Sequence, residues 1–170
     1  MSQEDSQSNS TLPRGCGCLL LLMCIGFMGA IALPSVLSMA SKAKQSEGKQ
    51  YVSSLNKGQQ AYYAEKNAFS TSMEALGLGL KTETTNYKYS LRVTKQAAFN
   101  YGVSKQKKAK SYVGGVLIVP VDPNAPKNAM ITSSISILCE ADAPGTIKPA
   151  EPIYQNSEVI CGKGTTDLTR

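Results

Sequence analysis

Residues 15–41 read GCGCLLLLMCIGFMGAIALPSVLSMAS, a run without a charged side chain between Arg14 and Lys42. The hydrocarbon core of a bilayer needs roughly 20 largely apolar helical residues, so this run is long enough to cross one. A cleaved signal peptide would begin with a basic segment and have a shorter apolar core, whereas the residues before Arg14 carry acidic but no basic side chains. We therefore expect a disordered polar tail over residues 1–14 and an uncleaved transmembrane helix over residues 15–41.

Two features disagree about the side of the membrane on which residues 42–170 lie. Four lysines follow the run closely, at positions 42, 44, 49 and 57, while Arg14 alone precedes it, and the positive-inside rule would place the C-terminal domain in the cytoplasm. That rule weakens for long translocated domains, and a pair of C-terminal cysteines indicates an oxidising compartment. We expect a single-pass membrane protein with an extracytoplasmic C-terminal domain over residues 42–170.

The composition excludes several kinds of functional site. The 170-residue chain has no histidine and no tryptophan, which rules out a histidine-based triad, general base or metal site. The carboxylates and lysines lie in no catalytic, phosphate-binding or metal-binding motif, so we expect no enzymatic activity, no cofactor, no metal and no small-molecule substrate. From Lys42 onward 17 basic residues stand against 10 acidic ones. This excess favours anionic partners, although it is also typical of a domain that is simply soluble.

A helical pattern continues beyond the uncharged run without a break. Apolar or aromatic residues recur at spacings of three, four and seven, which indicates one face of a helix; they are Val36, Ala40, Ala43, Val52, Leu55 and Tyr62. Gly48 and Gly58 each weaken the helix by roughly 1 kcal/mol relative to alanine. We predict one helix of about fifty residues, amphipathic in its second half and kinked at Pro34, because proline removes a backbone donor and clashes with the preceding turn.

Downstream, the apolar period changes from helical to two. A short helix is predicted first over Ser72–Leu76, ended by Gly77 or Gly79. Thr71 and Glu74 are spaced as a capping box for this helix. Four strands follow, predicted at residues 87–94, 99–103, 116–119 and 131–139. Together these elements predict an α+β fold in which the long helix packs against a four-stranded antiparallel meander.

The cysteines fall into two groups. Cys139 and Cys161 flank a loop rich in proline and polar residues, which burial alone cannot hold. A disulfide closing this loop would contribute on the order of 3 kcal/mol; the alternative is two free thiols in a cytosolic domain. Cys16 and Cys18 are too few to bind zinc. They are either small apolar residues of the membrane helix or sites of lipidation or intermolecular bridging.

The segment KQKKAK between the second and third predicted strands is the most basic loop of the chain. We call residues 105–110 the lysine loop; its cations are Lys105, Lys107, Lys108 and Lys110. Tyr101 and Tyr112 lie nearby, so basic and aromatic groups could bind nucleic acid or anionic polysaccharide together. The alternative is a solvated hairpin tip.

Several segments together resemble a known family. GAIALPSVLSMASKAKQSEGKQYVSSLNKGQQAYY, residues 29–63, is similar to the N-terminal helix of type IV pilins and pseudopilins, most strongly at residues 30–34. Further resemblance lies in EALGLG at 74–79, SYVGGVLIVP at 111–120, ILCEADAPGT at 137–146 and CGKGTTDL at 161–168. The chain most resembles the cyanobacterial type IV pilin-like proteins of the G and H type, over nearly its whole length after the tail.

This resemblance implies a lollipop-shaped molecule, with a long helix anchored in the inner membrane beneath an antiparallel sheet. It implies that the helix bundles with other pilin subunits and that the C-terminal cysteines clamp the last loop. The implied function is that of a minor pilin or pseudopilin, a structural subunit of a pilus, secretion or competence apparatus. The alternative is an anchored extracytoplasmic binding module that does not polymerise and contacts DNA or anionic polysaccharide through the lysine loop.

The chain departs from the pilin pattern near the processing site. Pilins have a glycine, then Phe or Met, then Thr-Leu-Ile-Glu, and no such string occurs here. Counting back from Pro34 by the family's usual interval reaches Gly17 where the glutamate is expected. That acid is thought to neutralise a neighbour's N-terminal amine during assembly. Its absence, together with the missing short basic leader, counts against prepilin processing and ordinary polymerisation.

Overall fold

The computed structural model describes residues 16–122 and 132–169, with side chains at residue 39 and from residue 41 onward. The chain divides into two units, with the boundary between Ala40 and Ser41. In chain order, the elements are α1 (Cys16–Lys66), a short 3₁₀ helix η1 (Glu74–Leu76), β1 (Tyr87–Val93), β2 (Ala97–Ser104), β3 (Tyr112–Pro120), β4 (Thr132–Ala141), β5 (Ile153–Gln155), β6 (Glu158–Ile160) and β7 (Thr165–Asp167).

The first element, α1, is a single helix of 51 residues, which confirms the predicted long helix. Pro34 lies inside α1 and does not end it. The side chains of residues 16–38 and of Ala40 lie outside the described set, so the kink and the transmembrane segment stay predictions. Among the residues that the structure describes with their side chains, no helix is both long and apolar enough to cross a bilayer.

The second half of α1 buries one face against the sheet. Val52, Leu55, Asn56 and Gln59 are all buried, and their spacing places them on one side of a helix. The predicted stripe was right for Val52 and Leu55, whereas Ala43 is exposed. Two of the four buried side chains are amides, which a pattern of apolar residues cannot reveal.

The segment after α1 is fastened back onto the helix. Asn67 adopts a φ of 51° and donates its N–H to the Tyr63 carbonyl at 2.8 Å, since asparagine tolerates the left-handed conformation that often ends a helix. Gln59 then donates from Nε2 to the Ser70 carbonyl at 2.8 Å and accepts the Ser70 N–H at 2.9 Å. These paired bonds fix where the chain turns towards the sheet.

The helix predicted over Ser72–Leu76 is instead a single 3₁₀ turn, η1. The predicted cap, Thr71, is wrong: the N-cap is Met73, which makes no capping hydrogen bond with its side chain. Ser72 Oγ accepts the N–H of Ala75 at 3.4 Å. The turn ends at Gly77, as predicted, with a φ of 66°. Because the cap lies two residues later than predicted and the end point is unchanged, too few residues remain for an α-helical turn, and the short i→i+3 pattern takes its place.

Five strands form one antiparallel sheet in the order β1-β2-β3-β4-β7, so the prediction of four strands was wrong by one. The first four strands are the predicted meander, although β3 begins at Tyr112 rather than at Val116, because two glycines interrupt its apolar pattern. Strands β5 and β6 pair separately as a small two-stranded sheet. The last three strands have three residues each, too short to show a period in the sequence.

The two faces of the five-stranded sheet carry separate buried clusters. On the helix face, Val52 and Leu55 of α1 pack with a group of strand residues, namely Tyr87, Tyr89, Tyr112 and Leu138. On the opposite face, which we call the C-terminal face, lies a second cluster consisting of Ala97, Phe99, Tyr101, Val113, Leu117, Val119, Ile137 and Cys139. Val159 and Cys161 pack against this second cluster. The C-terminal segment, which follows β4, therefore covers the C-terminal face of the sheet.

Two glycines allow α1 to lie close to the sheet. A Cβ added at Gly114 would lie 2.2 Å from Asn56 Oδ1, and one added at Gly48 would lie 2.7 Å from the Tyr87 ring. Gly48 therefore weakens the isolated helix but is required by the packing of α1 on the helix face.

Candidate interaction surfaces

The C-terminal segment is fastened to the sheet by the predicted disulfide, Cys139–Cys161. The two Cα atoms lie 5.8 Å apart, and the residues are separated by 22 positions in sequence. Cys139 is completely buried in β4, and Cys161 is partly buried just after β6. The bridge therefore joins the sheet directly to the segment that covers its C-terminal face.

A second fastening of the same segment, missed in the sequence, lies on β1 and β2. Arg92 donates to Glu151 from Nε at 2.7 Å and from a terminal guanidinium nitrogen, and the Tyr101 hydroxyl donates to the same carboxylate. The Arg92 guanidinium also lies over the Phe99 ring, 4.8 Å from its centroid. Hydrogen bonding from Arg92 is the largest cause holding the pKa of Glu151 below its usual value. We call this group the Arg92–Glu151 clasp.

The structure divides the four cations of the lysine loop into two pairs. Lys105 Nζ lies 2.5 Å from Glu83 Oε1, and Lys110 Nζ lies 2.7 Å from Glu140 Oε1. These two lysines are therefore neutralised within the domain. The other two lysines of the loop are exposed. The predicted anion-binding role stays a prediction, now centred on the exposed pair.

A polar network ties the lysine loop to α1. The Glu47 carboxylate accepts from Thr84 Oγ1 at 2.5 Å and from Asn86 Nδ2 at 2.7 Å. Gln106 of the loop donates from Nε2 to Asn86 Oδ1 at 2.8 Å and accepts from Lys44 Nζ at 3.3 Å. The loop is thus held beside the first residues of α1 that follow the uncharged run.

Buried tyrosines complete this network beside the lysine loop. Tyr112 donates its hydroxyl to Glu140 Oε2 at 2.9 Å, and Tyr87 donates to the Lys110 carbonyl at 3.0 Å. Burial, with smaller effects from nearby carboxylates, raises the pKa of Tyr87 to about 12. Burial likewise raises the pKa of Tyr112, followed by its hydrogen bond to Glu140. Both hydroxyls therefore stay protonated donors at physiological pH, which suits a structural role.

Metal ligands and clefts were the remaining candidates for a chemical site. Among them, no three histidine, cysteine or acidic side chains cluster so as to hold a metal ion. A surface cleft of about 230 Å³ near Pro144 includes Lys148 and Lys163, and its described lining has neither a carboxylate nor a thiol to act with them. The side chains of Cys16 and Cys18 lie outside the described residues, so lipidation or bridging there stays a prediction.

Comparison with known proteins identifies one family. The family model for type IV pilin-like G and H proteins matches residues 45–162, more than half of the chain. The matched region contains the buried half of α1, strands β1–β6 and both bridged cysteines. No curated protein and no solved structure matches the chain. The chain belongs to the type IV pilin-like G and H family.

Proposed function

We propose that the chain is a membrane-anchored, non-enzymatic subunit of the minor pilin or pseudopilin kind, serving a pilus, secretion or competence apparatus. Its family supports a type IV pilin-like subunit with other pilin subunits as partners. The observation that carries the proposal is the length of α1, which spans 51 residues. Among the side chains of α1 that the structure describes, the buried ones fall between Gly48 and Gln59. Residues 16–41 of the uncharged run lie earlier in the same helix, and the run has the length and character of a membrane anchor.

The disulfide supports an extracytoplasmic position for the domain, because structural disulfides persist in oxidising compartments and are rare in the cytosol. Protease added to spheroplasts should therefore digest the domain, and alkylation under denaturing conditions should find Cys139 and Cys161 unreactive until a reductant is added. Digestion only after the inner membrane is opened would contradict this placement.

Anchoring by the uncharged run is tested by placing charges in it. The double substitution Leu21→Lys and Ile25→Lys should release the chain from membranes on alkaline extraction, because lysine is costly at the centre of a bilayer. The matched control, Thr85→Lys and Ser90→Lys, adds the same charge at exposed positions and should leave the chain in the membrane pellet. Equal retention of both variants would contradict the anchor.

Incorporation into a filament is a separate question. The chain, tagged at its C-terminus, should be found in sheared filaments when it is produced together with a pilus machinery, and should be absent from the sheared fraction of a strain without the assembly motor. Presence only in the membrane fraction of both strains would contradict the filament role and favour the alternative below.

The alternative is an anchored binding module that does not polymerise, and the exposed Lys107 and Lys108 favour it. Their replacement by glutamine should weaken retention of DNA or an anionic polysaccharide and flatten its dependence on salt. Replacement of the exposed Lys88 and Lys95 is the matched control for charge. Equal retention by both variants would contradict binding through the lysine loop.

A further inference from the structure

Lysines from two distant parts of the sequence lie at the end of the domain where the uncharged run stops. Lys44 Nζ donates to Gln106 Oε1 at 3.3 Å. This contact places the lysine loop beside the first residues of α1 that belong to the globular domain. On the same part of α1, a surface groove is lined by Lys42 and Lys49 together with Tyr112 and Glu140. Five lysines therefore belong to this end of the domain, three on α1 and two exposed in the loop that contacts it. We call Lys42, Lys44, Lys49, Lys107 and Lys108 the lysine collar.

The carboxylates around the collar are already bound by other groups. Glu83 and Glu140 pair with Lys105 and Lys110, and neither of these lysines belongs to the collar. Glu47 accepts hydrogen bonds from a hydroxyl and an amide of the segment that precedes β1. Within the described part of the chain, no collar lysine forms an ion pair with a carboxylate. Of these three carboxylates, only Glu47 is not paired with a lysine, so five lysines stand against one carboxylate and the collar has a net positive charge.

The sequence sets the depth of this charge relative to the anchor. Lys42 is the first charged residue after the uncharged run, so it would lie at the level of the headgroups if that run spans the bilayer. At 1.5 Å per helical residue, Lys49 lies only about 10 Å further along the axis. This distance is about one Debye length at physiological salt, so the whole helical part of the collar would feel the field of a charged membrane surface.

We propose that the lysine collar binds the headgroups of anionic phospholipids and thereby holds the globular domain against the membrane surface. The proposal rests on the membrane anchoring proposed above. Several lysines held beside one membrane-proximal helix suit a surface of many phosphates, since each lysine near an anionic surface contributes about fivefold to binding. A nucleic acid approaching from outside the membrane would find this end of the anchored domain the least accessible.

The test uses the full chain in nanodiscs of phosphatidylcholine alone or with added phosphatidylglycerol. Limited trypsin digestion reports on the collar through cleavage after Lys107 and Lys108, and cleavage after the exposed Lys95 in the same sample is the internal reference. Phosphatidylglycerol should slow cleavage in the lysine loop at least fivefold relative to the reference. High salt should remove the difference, because surface electrostatics are screened.

Matched variants on the same helix separate the collar from general charge. Replacing Lys42 and Lys49 by glutamine should weaken the protection of the lysine loop from trypsin in phosphatidylglycerol nanodiscs. The ratio of protected to cleavable molecules should fall on the order of 20-fold. Replacing Lys57 and Lys66, which are exposed further along α1, should leave the protection unchanged. Both variants keep Lys44 and its contact with the lysine loop.

The outcomes distinguish this proposal from the one it rests on. A chain that fails to enter nanodiscs of either composition would overturn the anchor and the collar together. Incorporation with equal cleavage in the two lipid compositions would overturn the collar alone. Loop protection caused by added duplex DNA, with no effect of phosphatidylglycerol, would also overturn the collar and would instead support the binding module.

Discussion

The two faces of the sheet are covered by different kinds of structure. On the helix face, the cover is α1, a regular helix whose backbone groups hydrogen-bond to one another. It contributes buried side chains such as Val52 and Leu55. On the C-terminal face, the cover is a largely irregular segment whose strands have three residues each. Ordering such a segment costs about 1–2 kcal/mol of backbone entropy per residue. It therefore depends on a disulfide and a clasp, whereas the helix face depends on burial.

If burial holds the helix face, removing one buried side chain should have the largest effect. Leu55 is completely buried between α1 and the sheet, and Leu55→Ala should lower the free energy of unfolding by about 2–5 kcal/mol. Urea unfolding of the detergent-solubilised full chain measures this change. Lys57→Ala, at an exposed position of the same helix, should stay within about 0.5 kcal/mol of the unsubstituted chain. Similar losses in the two variants would contradict burial as the basis of this face.

The corresponding substitution on the C-terminal face is the loss of the disulfide. Cys139→Ala with Cys161→Ala should reduce the free energy of unfolding by on the order of 3 kcal/mol, because the unfolded chain regains the freedom of the closed loop. Proteolysis should then cut first between residues 142 and 157, since the cover has lost its main fastening. The same unfolding assay measures the first effect, and mass spectrometry of the fragments measures the second.

Reductant provides the control for the disulfide. It should destabilise the unsubstituted chain and the Leu55→Ala variant by similar amounts, because the two faces are fastened separately and distant effects are additive. The double alanine variant should not respond to reductant. If reductant left the stability of the unsubstituted chain unchanged, the C-terminal face would not depend on the disulfide, and the proposed difference between the two faces would be wrong.

A smaller effect is expected from the polar part of the helix face. Asn56 donates to the Ile137 carbonyl at 2.9 Å and to Ser136 Oγ at 3.1 Å, and accepts from Asn100 Nδ2 at 2.9 Å. Asn56→Ala would leave buried partners unsatisfied and should cost about 1–3 kcal/mol. The exposed Gln50→Ala is the matched control. A loss no larger than that of the control would mean that apolar burial alone holds α1 in place.

The sequence predicted the parts of the fold that rest on periodic burial. The period of three and four identified Val52 and Leu55, and the period of two identified β1, β2 and β4, because in each case one side of a regular element is buried. The disulfide was predictable because a loop rich in proline and polar residues needs a covalent fastening. The buried amides Asn56 and Gln59 were not predictable, since their role depends on partners that the fold brings together.

The candidate surfaces were predictable only in part, for a related reason. The positive charge of the lysine loop can be read from the sequence, but which of its lysines are neutralised cannot. Lys105 and Lys110 pair with carboxylates 22 and 30 positions away. The Arg92–Glu151 clasp likewise joins residues 59 positions apart. Pairings of this kind depend on sheet order and on the path of the C-terminal segment, and no local pattern records them.

The clasp should make the smallest contribution, and pH can isolate it. The pKa of Glu151 is lowered in the folded state, chiefly by hydrogen bonding from Arg92. Its stabilisation is therefore complete above the unfolded value of about 4.3 and is lost as the pH falls through the lower folded value. Because the Arg92 and Glu151 side chains are 48% and 30% exposed, solvent screens the pair, and the clasp should contribute little to stability at neutral pH.

Urea midpoints of the unsubstituted chain and of Glu151→Gln should thus differ slightly at pH 7 and converge as the pH falls through the lowered pKa of Glu151. Lowering of the pKa of Glu83 by Lys105 contributes equally to both chains and cancels in this comparison. Glu65→Gln, at an exposed position near the end of α1, should follow the unsubstituted chain at every pH. A Glu151→Gln difference that persisted at low pH would mean that the side chain acts through packing rather than charge. The C-terminal face would then depend on burial more than its irregular cover suggests.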